Sequence, residues 1–291
     1  MTCTRILAVI VVYERDLSAV LAWPFLRHCI VTSVDHRSAQ HNHGFCLDSV
    51  VIYDNSSHAR ALPAELLPGC LYVHDAGNGG TAAAYEHAIN LALTRDIDWL
   101  LLLDQDTLLP YNFFDAASAA LVKGTRQPSA LVPWVFQGDH VVSPARVTEA
   151  GSFDPLCYDA LLREGSNLTA IASGCLIYVP HLLQIAIPRA LWLDYVDHWI
   201  FAELRKKHSL ILVFDCSLQH NLSISSLKSL TLNRLTSILN GEATLLPTLG
   251  AKARLVFPFR LVARVMRYAW HRPELAIHTI GWFVNHIRLR K

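Results

Sequence analysis

Apolar and polar positions come in blocks along the first hundred residues. Ile6 to Tyr13 is an unbroken apolar run of eight residues, the length of a strand buried on both faces. Leu17 to Ile30 carries a helical pattern despite Pro24, and the polar stretch 33 to 47 with His36, His41 and His43 reads as a solvated loop. Ser49 to Tyr53 predicts a second strand, stopped by the turn formers Asp54, Asn55, Ser56 and Ser57. Leu71 to His74 predicts a short third strand. Asn78-Gly79-Gly80-Thr81 then opens a helix to about Arg95, whose packable face is Ala82 to Ala84, Ala88, Ile89, Ala92 and Leu93. Trp99 to Leu103 is a fourth strand leading into Asp104. This alternation predicts an α/β class: a mostly parallel sheet flanked by helices.

The second half is less regular. Ala130 to Val132 and His140 to Val142 are strand-like pieces broken by Pro133 and Pro144. Ala170 to Val179 is an apolar strand interrupted at Ser173-Gly174. Asp194 to Asp197 begins a helix running to about Lys207, and Leu210 to Phe214 is a last strand that leads to His220. Beyond about 225 the pattern turns helical and basic, and the chain has no internal repeat or low-complexity segment.

Three polar clusters each follow a strand end: Asp54-Asn55, Asn78-Gly79-Gly80 and Asp104-Gln105-Asp106. In open α/β sheets ligands bind outside the carboxyl ends of the strands, so three such clusters predict one cleft, and favour a nucleotide site over three unrelated turns. Asp104 and Asp106 put two carboxylates on that rim. A short acidic pair can end a strand as a solvated turn or cap. It can also hold Mg²⁺ or Mn²⁺, hard ions that take one or two carboxylates together with water and phosphate oxygens. That chemistry suits an enzyme for which a nucleoside diphosphate is the leaving group.

Composition narrows the class. The 291 residues are 52% hydrophobic and 17% charged, yet no stretch reaches the roughly 18 to 20 apolar residues that span a bilayer. Met1 to Arg5 carries no signal-peptide pattern. Seven scattered cysteines without a Cys-x-x-Cys predict reduced, mostly buried thiols of a cytoplasmic protein, neither a disulfide frame nor a zinc site. A net charge of +1 argues against a nucleic-acid partner. The charge is unevenly placed, however: residues 251 to 291 carry nine cations and one acid, Glu274. The remaining residues are net acidic by about seven.

Six segments together carry a resemblance. They are Ile10-Val11-Val12-Tyr13, Val51-Ile52-Tyr53-Asp54-Asn55-Ser56-Ser57, Asn78-Gly79-Gly80-Thr81-Ala82-Ala83-Ala84, Leu101-Leu102-Leu103-Asp104-Gln105-Asp106-Thr107, Ser173-Gly174-Cys175 and Leu193-Asp194-Tyr195-Val196-Asp197. In this order, across residues 5 to about 222, the chain resembles family-2 glycosyltransferases, particularly their bacterial rhamnosyltransferase-like branch. The resemblance implies a GT-A fold that uses nucleotide sugars and a divalent metal. The expected organisation is a GT-A domain over 1–225, with a nucleotide-sugar half (1–110) and an acceptor half (111–225), followed by a basic helical extension (226–291). The chain departs from the pattern at Glu14, where the family commonly has Asn, and over Ser226 to Glu242, where that branch has an Arg- and Tyr-rich segment.

The resemblance also implies roles. Asp54 would accept a hydrogen bond from the imide N–H of uracil or thymine, which its chemistry permits because a carboxylate only accepts. Tyr13 would pack on the base or in the core. Asn78, Gly79 and Gly80 would let the donor approach the backbone, with the helix N-terminus favouring phosphate. Asp104 would meet the ribose or the metal, Asp106 would be the direct metal ligand, and His220 would complete the metal site. Asp197 is the candidate base of an inverting transfer, with Asp194, three residues earlier and expected on a similar helix face, as the alternative.

The expected partners are a UDP- or dTDP-sugar, with rhamnose or another hexose to transfer, and a saccharide or lipid-linked saccharide acceptor. In the tail, Arg260, Arg264 and Arg267 share one helix face while Val256, Phe259, Val262, Ala263 and Met266 form another. Such a segment either packs on its own domain or lies on an anionic membrane surface, which would make the protein peripheral on the inner face of the plasma membrane. A sugar nucleotidyltransferase would want a glycine- and lysine/arginine-rich phosphate loop, which Val11 to Asp16 does not offer. A non-catalytic nucleotide-sugar-binding scaffold would have no need of Asp104, Asp106 and Asp197 together.

Overall fold

The computed structural model describes residues 3–35, 44–60, 68–123, 126–158, 164–165, 167–220 and 227–288. The histidine-dotted loop with His36, His41 and His43 lies outside them.

Among the described residues, a nine-stranded sheet forms the centre. Its strands are β1 (Thr4–Val12), β2 (Phe45–Asp54), β3 (Cys70–His74), β4 (Trp99–Asp104), β5 (Ala130–Gln137), β6 (His140–Ser143), β9 (Glu164–Gly165), β11 (Cys175–Tyr178) and β12 (Ile211–Gln219). The order is β3-β2-β1-β4-β11-β5-β12-β9, with β6 paired to β5. Three short strands, β7 (Ala145–Val147), β8 (Phe153–Pro155) and β10 (Leu168–Thr169), make a second sheet. β1 runs parallel to β2 and β4, β2 to β3, and β5 to β12, while β11 is antiparallel to both β4 and β5. The carboxyl ends of β1 to β5 and β12 therefore share one edge, and the start of β11 sits there too.

Side-chain alternation gives this sheet two buried faces. Leu7, Val9, Leu100 and Leu102 pack toward α2 (Gly80–Thr94) and α5 (Val196–Lys206). Ile6, Ala8, Ile10, Leu101 and Leu103 pack toward α1 (Trp23–Asp35) and α3 (Phe113–Lys123). The continuous apolar runs of β1 and β4 follow from this double burial.

Three sequence expectations need correction. Pro24 does not lie inside a long helix: it occupies the first turn of α1, where its missing N–H costs no helical bond. Pro133 does not break a strand. β5 runs through it, because β11 pairs only with Ala130 and Leu131 and the β12 register shifts between Val213 and Ser217, opposite Pro133. The cysteines are not all thiols, since Cys3 and Cys46 are disulfide-bonded with Cα atoms 5.9 Å apart. They meet because β1 and β2 pair in parallel with Thr4 against Phe45, a neighbourhood that cysteine spacing does not encode.

The chain continues through a short α4 (Val179–Leu182) before α5, and ends in α6 (Leu232–Leu245), α7 (Ala251–His271) and α8 (Pro273–Arg288). Thr231 caps α6 by accepting the Arg234 N–H at 3.2 Å. These helices enclose their own small core of Leu235, Leu239, Leu261, Tyr268, Leu275 and Ala276. Their arginines tie them to the sheet domain: Arg234 to Asp194, and Arg260 to the carbonyl of Gly151. Arg264 bonds Glu242 of α6 through both terminal nitrogens. Arg264 thus faces the protein, while Arg254, Arg260 and Arg267 stay exposed and the apolar residues Leu255, Phe259, Val262, Met266 and Trp270 face outward.

Candidate functional site

At the shared edge, β4 ends in Asp104, a tight turn brings Asp106 back, and β12 delivers His220. One ligand atom from each of the three lies within 4.8 Å of the others, and Nδ1 of His220 is 3.5 Å from Oδ1 of Asp106. Ser173, just ahead of β11, donates to Oδ2 of Asp104 at 2.8 Å and lies 3.4 Å from Nδ1 of His220. The next residue must be glycine. Gly174 has φ +79°, and a Cβ there would stand 2.5 Å from Leu218 and 3.1 Å from Pro133.

Burial pushes the Asp104 carboxyl above its ordinary pKa. Ser173 and His220 oppose that push, and the negative charges of Asp106 and Asp197 add to it. A cation would relieve this crowding. Two carboxylate oxygens and one imidazole nitrogen fit Mn²⁺ or Mg²⁺ while leaving positions for water and phosphate oxygens.

The middle residue of the acidic triplet is structural. Gln105 accepts the Tyr13 N–H on its side-chain oxygen at 3.0 Å and the Leu21 N–H on its carbonyl at 3.1 Å, fastening the turn to the end of β1. Tyr13 itself is 53% exposed on the rim, so core burial is not its role.

Asp54 is placed differently from the expectation. It is fully buried, and its carboxylate accepts from the N–H groups of Ser56 (2.9 Å) and Arg60 (3.1 Å) and from the Tyr72 hydroxyl (2.5 Å). Burial raises its pKa, but these bonds outweigh burial and hold it below the ordinary carboxylate value. Asp54 therefore organises the loop after β2. It does not face the cleft with a free oxygen.

The start of α2 is also occupied. The Gly79 N–H donates to Asp75 at 2.8 Å and the Gly80 N–H to Asn55 at 3.1 Å. Asn78, left-handed at φ 52°, presents its carbonyl to the Trp192 indole N–H at 2.6 Å. A Cβ on Gly80 would overlap the Trp192 carbonyl and ring. The close approach these glycines permit is that of Trp192, and the N–H groups expected to meet phosphate already have partners.

The two candidate bases separate. α5 begins at Val196 rather than Asp194, because Tyr195 is left-handed at φ 70° and breaks the helix path between them. Asp194 turns to Arg234, 3.0 Å away, and its pKa is raised because burial outweighs that positive charge. Asp197 stays beside the acidic cluster: its negative charge acts on Asp104, Tyr85 and Cys175. Its carboxylate accepts from the Ala172 N–H at 3.1 Å and the His198 N–H at 2.7 Å. His198 is stacked on Phe153, with ring centroids 4.0 Å apart, and its Nδ1 lies 2.7 Å from the Thr169 hydroxyl.

Sequence reasoning gave no role to Ser173, Gln105, Trp192 or Tyr85. The polar break Ser173-Gly174 inside an apolar run was the one local signal for the first. Trp192 and Tyr85 gave none, since each reads as an ordinary apolar position.

No protein-family model and no curated protein matches the chain. Among solved structures, GalNAc-T7 in its crystal structure with UDP, GalNAc and Mn²⁺ matches 82% of this chain and 48% of its own at 13% identity, with TM-score 0.54. The chain thus spans about half the length of that protein. Staphylococcus aureus TarS 1–349 (12% identity, 75% of this chain, 60% of that one) has TM-score 0.43. The mannosyltransferase PcManGT from Pyrobaculum calidifontis, in complex with GDP-Man and Mn²⁺ (12%, 100% and 89%), has TM-score 0.49. The fold assignment rests on the first of these. With its mostly parallel central sheet and helices on both faces, this chain has the GT-A fold.

Proposed function

We propose that this chain is a metal-dependent, inverting glycosyltransferase. It moves rhamnose or another hexose from a UDP- or dTDP-sugar to a saccharide or lipid-linked saccharide acceptor at the inner face of the plasma membrane. The observation that carries the reading is the convergence of Asp104, Asp106 and His220 at the sheet's carboxyl edge, with Asp197 beside them.

Asp104, Asp106 and His220 would hold Mn²⁺ or Mg²⁺, and the bound ion supplies Lewis-acid stabilisation to the departing diphosphate. The exposed Tyr13 ring packs on the base. Asp54 acts on the base indirectly, by shaping the loop after β2, and Asn78-Gly79-Gly80 shape the donor cleft through Trp192. Asp197 takes the proton of the acceptor hydroxyl as it attacks the anomeric carbon from the face opposite the diphosphate. Its two oxygens are each fixed by one backbone N–H, which leaves a lone pair on each for that proton.

The test is thermal stability against UDP, dTDP, GDP and CDP, each with and without Mn²⁺, on wild type and Asp106→Ala. A metal-dependent shift with UDP or dTDP that the variant loses is the expected result. No shift with any nucleotide would overturn the reading, and a shift without turnover on any sugar donor would favour a binding scaffold.

A further inference from the structure

The outward side of α7 is apolar over its whole length. Leu255, Phe259, Val262, Met266 and Trp270 recur at spacings of four, three, four and four, which is one face of a helix, and all are exposed. Phe259 is 75% exposed and Trp270 86%. The opposite face is spent on the protein itself through buried Ala253, Leu261 and Tyr268 and the Arg264–Glu242 pair. α8 repeats the arrangement, with Ile277, Ile280 and Val284 exposed and Leu275, Ala276 and Thr279 buried. Folding has buried one side of each helix and left the other side, equally apolar, in water. A soluble monomer rarely keeps such a stripe without a partner.

Charge identifies the partner. Lys252, Arg254 and Arg267 lie exposed on α7, with Lys252 3.5 Å from the exposed Glu149. Glu274 is the one acid between residues 251 and 288, and it is bonded to Arg272. Among the described residues no helix is long and apolar enough to cross a membrane. A second copy on this face would set one basic segment against another. An anionic bilayer offers acyl chains to the stripe and headgroup phosphates to its cationic border.

We propose that the outward face of α7, extended by α8, docks the protein on an anionic membrane surface, with Phe259 and Trp270 as its apolar anchors. The sequence pattern offered the segment as a whole for this task; within it Arg264 is bonded to Glu242 and Arg260 to the carbonyl of Gly151. The opposite face does the docking. This deepens the glycosyltransferase reading only in naming the membrane partner, and its test measures binding without turnover.

The experiment is flotation of the full chain with vesicles of phosphatidylcholine plus phosphatidylglycerol and with vesicles of phosphatidylcholine alone, at physiological salt. The comparison is wild type against Phe259→Ser/Trp270→Ser and against Lys252→Glu/Arg254→Glu. Wild type should float with the anionic vesicles only. Both double variants should partition at least about tenfold more weakly, with melting temperature unchanged because all four side chains are exposed. Wild type staying at the bottom of the gradient, or the Phe259/Trp270 variant floating like wild type, overturns the proposal. So does a concentration-dependent dimer in sedimentation that the same two substitutions dissolve, which would assign the face to a second copy. A nucleotide- and Mn²⁺-dependent thermal shift in the same preparations tells failure of the docking proposal apart from failure of the donor site.

Discussion

Ser173 donates a hydrogen bond to Asp104 at 2.8 Å, linking two residues 69 positions apart in the chain. The bond fixes one oxygen of the part-buried carboxylate and leaves the other for the proposed metal. Ser173→Ala should therefore destabilise by about 1.5–3 kcal/mol, the range for a buried hydrogen bond to a charged group. It should weaken Mn²⁺ by about tenfold, as loss of an outer partner of a metal ligand does. The readout is the Mn²⁺ concentration needed for the UDP-induced thermal shift, and an unchanged requirement would remove Ser173 from the site.

Asp197 and Asp106 should fail in different ways. Asp197→Asn keeps the nucleotide- and Mn²⁺-dependent thermal shift, because neither is expected to touch this side chain, but lowers turnover by about 10²- to 10⁴-fold. Loss of both together would make Asp197 part of donor binding and leave the base unassigned.

The Tyr85 hydroxyl is buried and has no hydrogen-bond partner among the described residues. Burial, together with the charges of Asp104 and Asp197, drives its pKa well above the ordinary phenol value, so it stays neutral and protonated. Leaving such a group unpaired costs about 1–3 kcal/mol. Tyr85→Phe should raise the urea midpoint with its slope unchanged. A lower midpoint would reveal a partner, with a bound water the simplest.

Gly80 combines φ +73° with the close approach of Trp192. Gly80→Ala should destabilise by more than about 1 kcal/mol from backbone strain alone, and the Cβ overlap adds to that. Chemical denaturation measures it. An alanine tolerated without loss would mean that Trp192 does not pack on this turn.

Asp194 carries a pH signature. Its folded pKa is raised, so its contribution to stability is present at low pH. That contribution is lost as pH climbs from the unfolded carboxylate value through the raised one. Asp194→Asn cannot ionise. The stability of the variant relative to wild type should therefore increase as pH rises from about 4. A difference that moves the other way would mean that the Arg234 charge outweighs burial.

The sequence by itself determined the strands of the first half, the helix α2, and the edge where chemistry collects. These are local properties: a continuous apolar run stopped by turn formers defines both a strand and the place where polar side chains emerge. Asp104 and Asp106 were legible as a strand-end acidic pair for that reason, His220 was named through the family resemblance, and the fold brings one ligand atom of each within 4.8 Å of the others. Tertiary structure decided which oxygens remained free. Asp54 was committed by Tyr72, the turn at Gly80 by Trp192, and Asp194 by Arg234, and each of these partners comes from another element. The left-handed Tyr195 that parts Asp194 from Asp197 is a conformation a tyrosine adopts only under tertiary constraint, here where its hydroxyl donates to Glu242. The orientation of α7 was decided in the same way. Periodicity separates an apolar face from a basic one, but which residues turn inward depends on the partner: Arg264 is held by Glu242 on α6, and the apolar stripe of α7 is left in water.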